Sequence, residues 1–149
     1  MRYRLYIVVS FLALSIAGFA GDDHPAFSHG LIQSSCAPWD GAAIDITLAA
    51  EPVECKKRVT GSYVDLGVWR GFPIHAGQTV RFDAGSNDGY GSRCAKEGDC
   101  ERARSGEIVF ETYRESSGAT GHYELHFKSG EVVKGNFDVK WCENRVICG

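Results

Sequence analysis

Residues 121–142, GHYELHFKSGEVVKGNFDVKWC, alternate apolar and polar side chains in two runs on either side of a turn-forming KSGE. Successive side chains point to opposite faces in a strand but not in a helix, so a period of two commits this segment to a β-hairpin with one buried face. Phe127 and Val133 both belong inside, and pairing them sets Tyr123 opposite Phe137. The outer face then matches His126 with Lys134, Glu124 with Asn136 and His122 with Asp138. A slip of one residue would put Phe137, Val139 and Trp141 into water, so the choice of face is strongly specified.

The same period recurs upstream. AIDITLA sets Ile44, Ile46 and Leu48 against Asp45 and Thr47, and SYVDLGVW sets Val64, Leu66 and Val68 against Tyr63, Asp65 and Trp69. QTVRFD and GEIVFETY continue the pattern, with RGFP, HAGQ, ESSGATG and KSGE as turns. Six or seven short strands with no helical period predict an all-β fold: a single-domain antiparallel β-sandwich or small barrel. Residues 84–106 interrupt the rhythm with a long polar connection that carries its own pair of cysteines. Long connections in compact domains are usually functional, and a local disulfide would order this one.

Residues 1–20 carry Arg2 and Arg4 ahead of the apolar run Leu5–Ala17, with Gly18 and Ala20 before Gly21. This is the layout of a cleaved secretory signal, and the run is shorter than the roughly 20 residues a membrane span needs. Residues 21–41 read as an N-terminal arm and 42–149 as the β domain. All six cysteines, Cys36, Cys55, Cys94, Cys100, Cys142 and Cys148, follow the signal. There is no C-x-x-C pair, so they read as three disulfides of a secreted or periplasmic protein rather than a zinc site. Fifteen pairings are possible; spacing favours the sequential one, Cys36–Cys55, Cys94–Cys100 and Cys142–Cys148. The formal net charge of −3 becomes more negative when Arg2 and Arg4 are removed. That excludes nucleic acid as an electrostatic partner, and no membrane association is expected after cleavage.

Several residue groups are candidates for chemistry. His122, Glu124 and His126 share the outer face of the hairpin, with Asp138 opposite His122, and could ligate a metal. The two histidines are ~13 Å apart along a strand, so one ion ligated at ~2 Å cannot reach both. The stripe therefore reads as the solvated side of a sheet. Cleavage after Ser28 would leave His29-Gly30 as the mature start, which resembles the copper-binding N-terminus of lytic polysaccharide monooxygenases. The resemblance implies a copper held by the amine and imidazole of His29, although no motif supplies a second copper histidine. DAGSNDG, from Asp83, collects oxygen ligands but departs from the calcium-loop spacing. There is no G-x-S-x-G elbow, and paired cysteines leave no thiolate nucleophile. Trp39 and Trp69, the latter beside Arg70, could stack on a sugar or a peptide, and Asn87, Asp88, Tyr90 and Arg93 make the 84–106 connection the place to look for a binding edge. The expectation is a binding or structural module without a cofactor and without catalytic activity, its ligand a protein or carbohydrate of unknown identity. One alternative is a metal-dependent or polysaccharide-acting secreted enzyme. Another is an inhibitor of an exported hydrolase that inserts residues 84–106.

Overall fold

The computed structural model describes Phe27 and residues 29–149; the expected signal peptide and most of the arm before His29 lie outside the described residues. Among the described residues nine strands follow one another: β1 (His29–Cys36), β2 (Ala42–Ala49), β3 (Tyr63–Val68), β4 (Thr79–Asp83), β5 (Gly89–Lys96), β6 (Asp99–Arg102), β7 (Ser105–Arg114), β8 (Gly118–His126) and β9 (Val132–Cys142). Among the described residues there is no helix, and so none that could cross a membrane. All nine strands belong to one sheet, in the order β4-β7-β8-β9-β1-β2-β3-β5-β6.

The sheet is mixed, not antiparallel throughout as expected. β1 and β9 run parallel through Leu31–Lys140, Ile32–Trp141 and Gln33–Cys142, while every other neighbouring pair is antiparallel. The first and last strands meet in the middle of the sheet, a long-range pairing that no local pattern announces. β1 also lies in the stretch read as an arm, so the β domain begins at His29. Its sequence, HGLIQSSC, has only Ile32 buried and shows no alternation. Neighbours on both sides hold it in place.

The sheet curls into a half-barrel around one core. Ile32, Leu48, Leu66, Ile108, Phe110, Tyr123 and Leu125 are at most 2% exposed, and each buried side chain of this kind contributes roughly 1.5–3 kcal/mol. The two arms of the curl meet where Leu125 and Phe82 both reach Gly91 of β5. Ala103 N–H donates to the Gly91 carbonyl at 2.9 Å and Arg104 N–H to the His126 carbonyl at 2.8 Å, tying β5 to β8 through the connection after β6.

The segment 84–106 proves to be mostly a hairpin. β5 and β6 pair with Cys94 opposite Cys100, and that disulfide bridges the two strands as expected. The other two disulfides differ from the sequential pairing: Cys36 joins Cys148 and Cys55 joins Cys142. After β2 the chain folds back over the sheet and brings Cys55 to Cys142, which pairs with Gln33 of β1. The parallel β1–β9 pairing brings the C-terminal tail to the end of β1. Three disulfides with no free cysteine among the described residues fit an oxidising compartment.

The register of the last hairpin is displaced by two residues from the expected one. Leu125 pairs with Val133, Tyr123 with Gly135, Glu124 with Lys134, His122 with Asn136 and Thr120 with Asp138. Phe127 N–H donates to the Glu131 carbonyl at 2.9 Å across a three-residue loop, with Gly130 at φ 90°. A shift of two keeps every side chain on its predicted face. Packing also selects it, because Tyr123 needs the space left by Gly135, where a Cβ would come within 2.7 Å of the phenol oxygen.

Candidate functional site

β2 and β3 point Ile44, Ile46, Leu48, Val64, Leu66 and Val68 inward, which leaves Asp45, Thr47, Asp65 and Gly67 outward. Registers then set the outer face: Thr47 opposite Asp65, Asp65 opposite Ser92, Gly67 opposite Tyr90 and Ser92 opposite Arg102. Tyr90 lies flat across Gly67, where any Cβ would overlap its ring. Trp69, at the end of β3, is fixed by its N–H to the Asp88 carbonyl at 2.9 Å. Trp39, in the turn before β2, packs over Gly41.

These rings form a ladder. Trp39 and Trp69 meet edge to face with centroids 6.1 Å apart, and Trp69 and Tyr90 meet at 5.2 Å. The Arg70 guanidinium lies 5.1 Å from the Trp39 ring, and that of Arg102 lies 5.2 Å from both Trp69 and Tyr90. Arg102 belongs to the row Asp65–Ser92–Arg102, yet its head group stacks on the rings. Among the described residues, neither Arg70 nor Arg102 has an ion-pair partner.

Two carboxylates form the floor beside the ladder. Thr47 Oγ1 donates to Asp65 Oδ1 at 2.7 Å, and Tyr90 Oη donates to Asp45 Oδ1 at 3.3 Å. Burial raises the Asp45 carboxyl above its ordinary range, against the lowering effect of hydrogen bonds from Ser35 and Tyr90. Burial likewise raises Asp65; the Thr47 hydroxyl opposes it and the Asp45 charge adds to it. Burial and then the two aspartate charges push the Tyr90 phenol far up, so it remains a proton donor throughout the physiological range. At the other end of β2 and β3 the segment 50–62 folds back over the sheet, packing Val53 and Val59 on Ala49, Tyr63 and Cys94, with Cys55 stapling it to β9. A depression of about 340 Å³ opens there between Thr47, Asp65, Lys56, Arg58 and Glu97. Floor, ladder and depression follow one another along the outer face of β2, β3 and β5, a line of side chains that we refer to as one shallow trough.

Of the expected binding residues, Trp39, Trp69 and Tyr90 come together in this trough. Asp88 joins through its backbone carbonyl alone, and Asn87 is an exposed turn residue. Arg93 lies on the opposite face of β5, paired with Glu131 and Glu101 and stacked on Phe127 at 4.8 Å, where it braces the curl. Asp83 caps a polar turn by accepting from Gly85 N–H at 2.9 Å.

The candidate metal ligands do not converge. His126 Nε2 sits 2.8 Å from Glu124 Oε1, and Lys134 Nζ sits 2.8 Å from Glu124 Oε2. The lysine hydrogen bond comes first among the effects holding the Glu124 carboxyl below its ordinary range. His122 faces Glu111 at 3.4 Å instead of Asp138, which the register places opposite Thr120. His29 opens β1 opposite Ala49. Among the described residues, no group of three His, Cys, Asp or Glu side chains is placed to hold an ion.

Sequence reasoning missed Asp45, Asp65, Arg70 and Arg102 as members of one site. A signal for two of them existed: Asp45 and Asp65 are the charges placed inside otherwise apolar strands. Nothing local joins them to Arg102, which arrives through the β5–β6 hairpin. No family model, curated protein sequence or solved structure matches this chain, so the function is argued from this geometry.

Proposed function

We propose that this protein is an exported, disulfide-stabilised binding module whose ligand is a polysaccharide chain lying along the trough. The observation that carries the reading is the Trp39–Trp69–Tyr90 ladder beside Asp45 and Asp65, on an open sheet face. Aromatic rings offer apolar faces to the C–H surface of sugars, and half-buried carboxylates accept hydrogen bonds from sugar hydroxyls. Trp39 is 43% exposed, more than a ring that served packing alone would be. A shallow trough fits an extended chain better than a small molecule, which needs a pocket that encloses it.

Affinity electrophoresis through gels containing soluble polysaccharides tests this. The protein should be retarded by at least one polymer, and Trp39→Ala should weaken that binding roughly 10- to 100-fold, the loss expected of a central aromatic anchor. Free migration through neutral and charged polymers alike rejects the reading. A second reading makes Asp45 and Asp65 an acid–base pair acting on the same polymer, favoured by their raised carboxyls. Release of new reducing ends, lost in Asp65→Asn, separates it from simple binding.

A further inference from the structure

We infer that the polysaccharide is acidic, a chain bearing uronate carboxylates, with Arg70 and Arg102 as its anchors and Lys56 as a third contact. The inference rests on the binding reading above and adds the chemistry of the ligand.

Three cations border the trough without an ion-pair partner among the described residues: Arg70 and Arg102 on the ladder, and Lys56 at the depression beyond Asp65. Lys96, Arg104, Arg114, Lys128, Lys140 and Arg145 likewise have no ion-pair partner among the described residues, so what sets Arg70 and Arg102 apart is that each is held against an aromatic ring. Lys57, Arg58, Arg81, Arg93 and Lys134 are the basic residues that have a carboxylate within 4 Å among the described residues. Arg102 could lean across Ser92 toward Asp65 but lies on Trp69 and Tyr90 instead, 5.2 Å from each. Stacking restrains a guanidinium while leaving its N–H edge free, and that edge matches a carboxylate with two parallel hydrogen bonds.

The rings also bear on the choice between neutral and acidic sugars. The guanidinium groups already cover part of the Trp39, Trp69 and Tyr90 faces, so a neutral sugar would have to displace them. A uronate uses them where they are. Asp45 and Asp65 then serve the hydroxyls of the same chain.

The test is affinity electrophoresis of the oxidised protein in gels containing polygalacturonate or its fully methyl-esterified form, which keeps the backbone and removes the charge. Retardation by the acid polymer alone, weakened by added salt, is the expected result. Arg70→Gln and Arg102→Gln should each weaken it about tenfold, the size of a lost charge-assisted hydrogen bond, with Lys56→Gln weaker in effect and Arg114→Gln, outside the trough, without effect. Circular dichroism of each variant checks that it is folded. Equal retardation by the esterified polymer, or full binding by both arginine variants, overturns this inference while the binding reading stands. Free migration in every gel overturns both. Sedimentation with anionic phospholipid vesicles but retention by neither polymer would replace the polysaccharide with a lipid surface and overturn it as well.

Discussion

The outer face of this sheet has two halves that treat charge in opposite ways. On β7, β8 and β9 the histidine stripe is paired: His126 and Lys134 both hold Glu124, and His122 faces Glu111. On β2, β3, β5 and β6 the carboxylates take hydroxyl donors from Thr47 and Tyr90, and the arginines lie on rings. The first half carries the histidine stripe, the more conspicuous feature of the sequence, yet it has little left to offer a ligand. The second half holds two arginines against rings with no carboxylate partner among the described residues, and leaves one tryptophan exposed. Unspent interaction capacity, rather than the density of reactive residue types, distinguishes a site from a solvated surface.

That contrast can be broken from its foundations first. Removing Cys55–Cys142 with paired serine substitutions should cost about 3–5 kcal/mol, since it releases a long loop together with the cover over the trough. The same change at Cys94–Cys100, whose sequence separation is 6, should cost about 2 kcal/mol. Thermal unfolding of both variants checks the order, and equal losses would mean that the 50–62 cover is not held by its staple.

Next in size is Gly67→Val, which places a branched side chain where the Tyr90 ring lies. Eviction of the ring should destabilise the fold by roughly 1–3 kcal/mol and abolish polysaccharide retardation. Retained binding would show that the ladder does not need Tyr90.

The carboxylates give a pH signature that sharpens the contrast. Burial raises Asp45 and Asp65 in the folded state, so that state holds more protons than the unfolded chain between the ordinary and the raised pKa. Their contribution to stability therefore falls as pH rises through that window and levels off above it. Glu124, whose pKa is lowered, works with the opposite sign: its contribution is present above the ordinary carboxylate pKa and fades as pH falls through its own. Asp45→Asn with Asp65→Asn should flatten the first trend and raise the melting temperature at neutral pH. A melting curve series across mildly acidic pH that is identical for wild type and the double variant would contradict the assigned burial.

The smallest effects belong to the histidine half. His122→Ala and His126→Ala should each change stability by no more than about 0.5 kcal/mol, as for exposed ion pairs generally, and should leave retardation in the gel untouched. Loss of binding in either variant would relocate the site.

The trough was legible in the sequence only in fragments. Trp39, Trp69 and Tyr90 could be singled out as candidates because aromatic residues next to turns and polar runs stand out locally. Their convergence could not be seen, because Trp39 precedes β2, Trp69 follows β3, and Tyr90 enters from a segment that read as an irregular connection. Arg93 looked like their companion but, three residues from Tyr90 on a strand, necessarily faces the other way.

What the sequence determined by itself is the side on which each residue of a strand lies. Alternation of apolar and polar residues is a local property, and the cost of exposing a core face enforces it strand by strand in β2, β4, β8 and β9; β3 is buried on both faces, and β7 loses the alternation at a bulge after Phe110 that turns Tyr113 onto the core. Only the tertiary structure decided which strands are neighbours. The parallel meeting of β1 with β9 rewired two disulfides, and the pairing of β3 with β5 brought the ladder together. Such partnerships arise from packing between distant segments, where many alternatives bury similar apolar area and no short stretch of chain records the choice.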